Sequence, residues 1–504
     1  MYEANHLASR LRLASLGRED ATFIQNPQTG EDVSYGAFFA NAERMAAVLA
    51  DMGLEAGDRV AVQTPKTVAM LELYVGAVLA GAVFLPLNTG YTGAEVRYFL
   101  KDATPKLLVC APVKRDSLRP IAKAAGVSEI LTLGPGETGT LVTARDAMAA
   151  GFVAVSRGPD DLAAILYTSG TTGRSKGAML THRALASNSQ TLMEYWGFTA
   201  QDVLIHALPV FHTHGLFVAT NITMMAGASC IFMAGFKADA VVAAMQGATA
   251  LMGVPTYYVR LLEVDGLAAA ARGMRLFVSG SAPLLAETFE RWQQVTGHAI
   301  LERYGMTETN MNTSNPYVGE RRAGTVGFAL PGVEAKITDA AGIEVAQGEV
   351  GILEVRGDNV FAGYWKMPQK TAEELRADGF FITGDMAVQD ADGYISIVGR
   401  AKDLIITGGY NVYPKELELL IDAVDGVVES AVIGVPDADF GEAVVAVVVT
   451  DGDVDEAGIL AAIAPDLARF KQPKRVIVVE ELPRNAMGKV QKKALREEYA
   501  GVMG

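Results

Sequence analysis

Short apolar runs alternate with longer amphipathic stretches along the first part of this chain, and this alternation restricts the folds that it can adopt. The runs predicted as strands are Lys106–Ala111, Ala163–Thr168, Ala250–Val254 and Arg275–Ser279, and the stretches predicted as helices include His182–Tyr195 and Leu284–Thr296. Parallel strands need a long crossover connection, which is usually a helix. The pattern therefore predicts an α/β fold with parallel sheets covered on both faces.

The pattern changes after Thr325, where short runs are separated by Gly and Asp turns. This predicts a β-rich subdomain at about residues 325–399, either a barrel or a strongly bent sheet. Beyond it, helices are predicted at Pro414–Ala423 and Glu456–Phe470, and strands at Ser430–Val435, Ala443–Thr450 and Arg475–Val479. The chain of 504 residues is thus expected to be multi-domain, with an N-terminal domain at 1–399, a boundary at 400–403 and a C-terminal domain at 404–504.

The composition is that of a protein with a large core and an acidic surface. The net charge is −15, which gives no support for nucleic acid or an anionic membrane as a partner. Cys110 and Cys230 both lie in apolar runs, as expected in a reducing compartment. The first residues lack the apolar region of a secretory signal. The apolar segment Val68–Leu87 contains Glu72 and is predicted as a buried helix followed by a buried strand.

Tyr167–Gly177, with the sequence YTSGTTGRSKG, follows the apolar run Leu162–Leu166. Its glycines allow backbone N–H groups to turn toward an anion, its hydroxyls donate further hydrogen bonds, and Lys176 supplies a cation. Ser175 stands where a Walker A motif needs glycine, so the P-loop NTPases are excluded. The segment predicts a phosphate-binding loop of another kind.

Further motifs bring together residue types that suit a nucleotide. The motifs are Gly280–Pro283 (GSAP), Glu302–Thr309 (ERYGMTET), Thr383–Asp385 (TGD), Gly399–Asp403 (GRAKD) and Asn485–Lys489 (NAMGK). Tyr304 is able to stack on a base, and Glu308 is able to bind Mg²⁺ beside phosphate oxygens. Each motif alone also fits a helix cap, a turn or a basic surface tail.

Six motifs occur in the order and approximate spacing of the adenylate-forming ligases, which include acyl-CoA synthetases, peptide-synthetase adenylation domains and luciferases. The motifs are YTSGTTGRSKG, LPVFHTHG, YGMTE, TGD, GRAKDLIITGG and PRNAMGK. The chain resembles this family from about Phe23 to Lys493. The resemblance implies a large N-terminal domain of two α/β sheets plus a distorted β-barrel, and a small mobile α+β C-terminal domain.

The resemblance also implies the chemistry: a carboxylate attacks the α-phosphorus of ATP and gives an acyl-adenylate and pyrophosphate. Lys489 would bridge the carboxylate and the α-phosphate, Thr307 would contact the α-phosphate, and Glu308 would bind Mg²⁺. The residues expected at ATP are Thr168, Ser169, Gly170, Thr171, Thr172, Gly173, Lys176, Gly280, Ser281, Ala282, Glu302, Arg303, Tyr304, Gly305, Met306, Asp385 and Arg400.

A second step, in which coenzyme A takes the acyl group, is implied in the same way. The family rotates its small domain about a position that matches Lys402. The rotation would remove Lys489 and bring in Gly408, Gly409 and Tyr410 beside the pantetheine arm. Lys471 belongs to a local basic group that suits coenzyme A phosphates, although solvated surface charge explains it equally well.

The acyl pocket is expected to be polar. His206, His212 and Thr213 lie in or next to the LPVFHTHG motif, and Ser279 and Met306 are expected beside them. Without a cysteine nearby, these histidines favour a pocket over a zinc site.

HTHGLF, RLFVSGSAPL and ERYGMTETNMNTSNPY look most like the malonyl-CoA synthetase branch of the family. Malonate carries a second carboxylate that needs a buried cation, and Arg275 is the residue expected to provide it. An arginine that caps a strand end at the surface is the alternative for this residue.

Other functions stay open at this point. They are ligation of methylmalonate, acetate, oxalate or an aryl acid, acyl-adenylate sensing without catalysis, and loading of a separate carrier protein. We expect a cytoplasmic enzyme whose Lys489 is a target for a lysine acetyltransferase and deacetylase, because acetylation removes a charge that the reaction needs.

Overall fold

The computed structural model describes residues 2–27, 29–168, 175–407, 410–437, 440–452, 454–467, 469–485 and 488–503. The strands before residue 330 are β1 (Thr22–Asn26), β2 (Glu31–Ser34), β3 (Arg59–Gln63), β4 (Val83–Pro86), β5 (Leu107–Cys110), β6 (Glu129–Thr132), β7 (Leu162–Thr168), β8 (Lys176–Thr181), β9 (Val203–His206), β10 (Ser229–Phe232), β11 (Ala250–Gly253), β12 (Leu276–Ser279), β13 (Leu301–Met306), β14 (Asn310–Ser314) and β15 (Phe328–Ala329).

Helices connect most of these strands. They are α1 (His6–Leu13), α2 (Tyr35–Asp51), α3 (Val68–Leu79), α4 (Gly93–Ala103), α5 (Arg115–Ala124), α6 (Thr140–Asp146), α7 (His182–Tyr195), α8 (Thr220–Ala226), α9 (Ala238–Ala244), α10 (Pro255–Leu261), α11 (Leu267–Ala270) and α12 (Ala286–Thr296). A π-helical segment, His214–Ala219, leads directly into α8.

The strands form two sheets, as expected for an α/β protein. One has the order β6-β5-β3-β4-β7-β8 and the other the order β15-β14-β13-β12-β11-β9-β10-β1-β2. Neighbours are parallel except at β7–β8, β1–β2, β13–β14 and β14–β15. The carboxyl ends of β9, β11, β12 and β13 therefore share one edge of the larger sheet, which is where such sheets bind ligands.

The β-rich segment is an open sheet. The four antiparallel strands β16 (Val333–Thr338), β17 (Gly351–Gly357), β18 (Phe381–Gln389) and β19 (Ile395–Arg400) pair in sequence order, with α13 (Pro368–Glu374) between β17 and β18. Among the described residues, β16 and β19 do not pair with each other, so no closed barrel forms. Of the two expected forms, the barrel is wrong.

The C-terminal part is built around a five-stranded sheet of its own. Its elements are β20 (Ile405–Thr407), β21 (Tyr410–Val412), α14 (Pro414–Asp422), β22 (Val427–Asp437), β23 (Gly441–Thr450), α15 (Glu456–Ile463), β24 (Arg475–Val479) and α16 (Lys492–Glu498). The helix predicted at Glu456–Phe470 ends at Ile463, because Pro465 allows only a 3₁₀ turn at Ala464–Asp466.

The hydrophobic cores divide at the same place. The three cores of the N-terminal part use residues up to Ile395, and the two cores of the C-terminal part begin at Ile405. A single 3₁₀ turn, Ala401–Asp403, joins the two parts. Each part therefore buries its own apolar side chains.

The long apolar segment Val68–Leu87 is buried inside the N-terminal part. It forms α3 and, after a turn, β4, with every residue of both elements buried. Within the described residues, no helix is long and apolar enough to cross a membrane. The prediction of a buried helix followed by a buried strand is confirmed.

Arg275 lies at the amino end of β12, which is the edge opposite to the carboxyl strand ends. Its guanidinium makes two hydrogen bonds to Asp202, Nε to Oδ1 at 2.6 Å and Nη2 to Oδ2 at 2.9 Å, and it contacts the rings of Phe198 and Tyr317. The rise of a strand puts Arg275 roughly 13 Å from Ser279. The guanidinium donors of Arg275 that could bind a substrate carboxylate are therefore already taken by Asp202, and the expectation that Arg275 binds the substrate is wrong.

We predict that Arg275→Leu destabilises the protein by about 3 kcal/mol, because it leaves the buried Asp202 carboxylate without its cation. Arg291→Leu is the matched control, since its partner Glu263 is exposed and the change costs about 0.5 kcal/mol. Urea unfolding of the two variants measures the difference. Equal stabilities would show that the Arg275–Asp202 pair is not structural.

Candidate active site

Arg303 is buried at the carboxyl edge of the larger sheet. Its residue surface is 3% exposed, and its Nε and Nη2 have no hydrogen-bond partner within the described part of the chain. A side chain at Gly280 would overlap the guanidinium, so the glycine makes the space that Arg303 occupies. Burial lowers the pKa of Arg303 to about 9, which leaves it cationic at neutral pH. A buried cation with two unused donors is arranged to receive an anion.

Other buried polar atoms without protein partners lie on the segments beside Arg303. Ser279 Oγ, Thr213 Oγ1 and His214 Nε2 find no partner among the described residues. Ser281, in a left-handed conformation with φ 74°, places its Oγ 3.3 Å from His214 Nδ1. Native structures rarely leave several buried polar groups unpaired in one place. The group is therefore a buried polar cluster with unused hydrogen-bonding capacity, and we refer to it as the polar pocket.

The histidines of this pocket are neutral. Burial, followed by the charge of Arg303, lowers the pKa of His212 to about 4 and that of His214 well below its ordinary value. Arg303 is therefore the positive charge of the pocket at neutral pH. Within the described residues, no group of His, Cys, Asp and Glu side chains is arranged to hold a metal ion by itself.

His206 supports the pocket from behind. Lys66 Nζ lies 3.0 Å from His206 Nδ1 and 2.7 Å from its carbonyl oxygen, and His206 Nε2 lies 2.9 Å from the Gly215 carbonyl. Both ring nitrogens are thus occupied by the protein. Since neither ring nitrogen is free, His206 can shape the pocket but cannot donate to or accept from a substrate, which is the lesser of its expected roles.

The nucleotide side of the site is a chain of paired polar groups. Tyr304 donates a short hydrogen bond to Asp385, and Arg400 Nε lies 2.6 Å from the other oxygen of that carboxylate. Thr383 Oγ1 accepts a hydrogen bond from the Asp385 N–H, which fixes the turn at Gly384. These contacts hold Asp385 where a ribose diol could reach it.

Glu308 is buried beside the phosphate-binding segment. Its Oε1 accepts a hydrogen bond from Thr168 Oγ1 at 3.3 Å and lies 3.0 Å from Tyr364 OH, and burial raises its pKa. A single carboxylate with hydroxyls around it fits Mg²⁺, which binds proteins through one or two carboxylates plus phosphate oxygens. Lys176 lies nearby, 3.1 Å from Glu374 Oε2.

Glu302 lies next to Arg303 on β13. Its Oε1 accepts a hydrogen bond from the Leu284 N–H at 3.1 Å, and its Oε2 has no partner among the described residues. Burial raises the pKa of Glu302 to about 8. At neutral pH this carboxyl therefore holds a proton, and it does not cancel the charge of Arg303.

Lys489 reaches this site from the C-terminal part. Asn485 Oδ1 accepts a hydrogen bond from its N–H at 3.0 Å, and the adjacent Gly488 packs against Thr256 of α10. The residue is exposed as a whole, while burial of its ammonium end and the charge of Arg400 lower its pKa to about 8. The structure therefore brings the Lys489 ammonium close to Arg400 and Asp385.

The remaining expected residues are distributed as follows. Gly305, Met306 and Thr307 line the same strand end half-buried, Ala282 is half-buried, Lys402 is exposed in the connecting turn, and Tyr410 is exposed and stacks on Phe470. Lys471 is held by both oxygens of Glu416. Ser169, Gly170, Thr171, Thr172, Gly173, Gly408 and Gly409 lie outside the described residues.

Three residues of the site escaped the sequence analysis: Lys66, Tyr364 and Glu374. Each lies far along the chain from its partner, Lys66 being 140 residues from His206. Lys66 gave no clear signal, because it stands in a polar connection between β3 and α3 with Gln63, Thr64 and Thr67 around it. Tyr364 and Glu374 gave none, because aromatic and acidic residues are ordinary in such positions.

Comparison with known proteins agrees with this geometry. Residues 12–365 match the AMP-binding enzyme family, and residues 416–489 match the AMP-binding enzyme C-terminal domain. The chain is 35% identical to the malonate–CoA ligase of Arabidopsis thaliana over 476 residues, covering 88% of this chain and 78% of that protein.

Solved structures of MatB from Rhodopseudomonas palustris are 56% identical to this chain and cover 99% of it and 100% of their own length. The TM-score is 0.97 with the ATP-bound structure and 0.85 with the apo structure, so the arrangement of the parts is closer to that of the ATP-bound form. The family predicted from the six motifs is confirmed, and the chain belongs to the AMP-binding enzymes.

Proposed function

We propose that this chain is a malonate–CoA ligase, which joins malonate to coenzyme A with ATP and releases AMP and pyrophosphate. One observation carries the proposal: the buried guanidinium of Arg303 has two unused donors in a polar pocket. A monocarboxylic acid would leave that charge unpaired, whereas the second carboxylate of malonate would satisfy it with parallel hydrogen bonds. The malonate–CoA ligase among the relatives supports the same substrate.

In the first step, the reacting carboxylate attacks the α-phosphorus of ATP, its oxygen forms a bond to phosphorus, and pyrophosphate leaves. Because two anions must approach each other, catalysis depends mainly on the cations that stabilise the negative charge around them. Arg303 would hold the distal carboxylate, and Lys489 would lie between the reacting carboxylate and the α-phosphate. Asp385 would hold the ribose and Lys176 the outer phosphates, while Thr307 would contact the α-phosphate.

The residues present fit Mg²⁺ at Glu308, with the remaining oxygen ligands supplied by ATP and water. Bound there, Mg²⁺ would neutralise charge on the phosphates. Thr168 would orient the Glu308 carboxylate through the hydrogen bond that it donates, and the Tyr364 hydroxyl oxygen lies against the same carboxylate oxygen.

In the second step, the coenzyme A thiol attacks the acyl carbon and AMP leaves. We propose that the C-terminal part turns about Lys402, which would withdraw Lys489 and present Gly408, Gly409 and Tyr410. The separate hydrophobic cores support such a movement. Lys471 would contact coenzyme A only after it releases Glu416.

The alternative acids differ in how they would treat Arg303. Acetate and simple aryl acids bring no second anion, and oxalate is shorter than malonate by one carbon. Methylmalonate keeps both carboxylates, so its use depends on the room that Thr213 and Met306 leave beside the central carbon.

The buried free thiols of Cys110 and Cys230 support a cytoplasmic location.

We also propose that acetylation silences Lys489 by removing its charge. Because the ammonium end of Lys489 is buried against the N-terminal part in this arrangement, acetylation would need the C-terminal part to turn away first. Mass spectrometry of Lys489 after enzymatic acetylation, with activity measured on the same sample, tests this; a fully acetylated enzyme with full activity would contradict it.

The function is tested by thioester formation across acetate, malonate, methylmalonate, succinate, hexanoate and benzoate. We expect malonate to exceed acetate by about 100-fold or more in kcat/KM, since leaving a buried charge unpaired costs about 3 kcal/mol. Acetate or hexanoate ahead of malonate would overturn the proposal and leave the family unchanged.

We expect Arg303→Leu to reduce kcat/KM for malonate by about 100-fold or more, because the distal carboxylate loses both hydrogen bonds and its counter-charge. The KM for ATP should change little. Arg275→Leu is the matched control, since it removes a guanidinium that faces Asp202, and its KM for malonate should stay near that of the wild type. Equal malonate kinetics in the two variants would refute the role of Arg303.

We expect adenylate formation to weaken as the pH rises above about 8, because the Lys489 ammonium loses its proton with a pKa of about 8 while only the cation bridges two anions. Below that pH the group stays charged. The fall in kcat/KM above this pH is measured by pyrophosphate exchange in the absence of coenzyme A. Thioester formation from preformed adenylate should lack it, and a pyrophosphate-exchange rate that is flat to pH 10 would contradict the assignment.

A further inference from the structure

Lys176, the cation of the phosphate-binding segment, is held by a carboxylate of the protein. Its Nζ lies 3.2 Å from Oε1 and 3.1 Å from Oε2 of Glu374, and 4.0 Å from the centre of the Tyr364 ring. Lys176 is 7% exposed, so this contact is largely shielded from solvent. Within the described residues, Glu374 is the carboxylate that pairs with Lys176.

Glu374 is itself fixed in place. It is the last residue of α13, its Oε2 accepts a hydrogen bond from Tyr364 OH at 2.6 Å, and its Oε1 lies 2.9 Å from Lys370 Nζ. The neighbouring Glu373 shares Lys370 but points to solvent, with 63% of its side chain exposed against 21% for Glu374. Of these two adjacent acids, which share Lys370, only Glu374 contacts Lys176 and Tyr364 among the described residues.

We propose that Glu374 is a positioning residue that occupies Lys176 when the phosphates are absent and competes with them when they bind. The inference rests on the proposed role of Lys176 at the outer phosphates of ATP, and it does not depend on which acid is used. Because pyrophosphate carries the same outer phosphates, the competition also limits how long this product stays bound after the first step.

The size of the effect follows from charge and distance. A phosphate oxygen can hydrogen-bond to Lys176 only after the ammonium gives up part of its contact with Glu374, so the free energy of that shielded ion pair is lost from phosphate binding. Removing the carboxylate charge should therefore tighten phosphate binding by about tenfold. Glutamine keeps the shape and an acceptor oxygen, so Glu374→Gln isolates the charge.

The test is direct binding of MgATP, and separately of Mg-pyrophosphate, to the full-length enzyme by titration calorimetry without acid or coenzyme A. We expect Glu374→Gln to bind both about tenfold more tightly than the wild type, and to show a matching fall in the inhibition constant of pyrophosphate. Glu373→Gln, which removes the same charge one residue away, should bind both within about twofold of the wild type. Unchanged or weaker binding in Glu374→Gln would overturn the inference.

Lys176→Met separates this mechanism from simple repulsion. We expect Glu374→Gln to tighten binding little when Lys176 is already absent, because the two residues act as a pair. A full tenfold gain in the Lys176→Met background would overturn competition for Lys176. Failure of the wild type itself to bind MgATP would instead refute the proposed function, so the two failures are distinguishable.

Discussion

The close approach of the Arg303 guanidinium to the backbone of Gly280 is the contact on which the pocket depends. Any side chain at Gly280 would fill the space that the guanidinium needs. A cation buried in this way is expensive, and the protein does not offset it with a carboxylate, since the adjacent Glu302 holds a proton at neutral pH. The free-energy cost of burying this cation is therefore offset when an anionic ligand binds and supplies the missing negative charge.

The two ends of the site manage charge in opposite ways. Around Arg303, neutral histidines and hydroxyls leave one positive charge unopposed. Around Lys176, a carboxylate already neutralises the cation before any phosphate arrives. The first arrangement favours tight and selective binding of an anion, and the second favours exchange. These differences suit the proposed ligands, since the acid at Arg303 must be bound selectively, whereas the pyrophosphate at Lys176 must be released.

Much of the fold could be predicted because it depends on local patterns. The helix at His182–Tyr195 has the bounds that its amphipathic period indicated, and the segment Val68–Leu87 divides as its glycines and Pro86 suggested. The helix that begins at Glu456 is shorter than its apolar run predicts, because Pro465 prevents the helix from continuing. The open sheet at β16–β19 could not be told from a barrel, since closure depends on pairing between strands distant in sequence.

The site was harder to predict than the fold. Arg275 and Arg303 both flank buried strands of one sheet, and a sequence does not reveal which arginine meets a carboxylate of its own. The Asp202 that occupies Arg275 lies 73 residues away, and Lys66 meets His206 across 140 residues. Motifs therefore predict the nucleotide residues, whereas the surroundings of the buried arginines depend on contacts that only the folded chain creates.

The separate cores on either side of the turn at Ala401–Asp403 have a consequence for the cost of changing shape. In the rotation proposed above, no apolar side chain would have to leave a core, so the barrier would come from polar contacts that water can replace. The C-terminal part would then present two faces in turn, and each face could be adapted to its own reaction independently of the other.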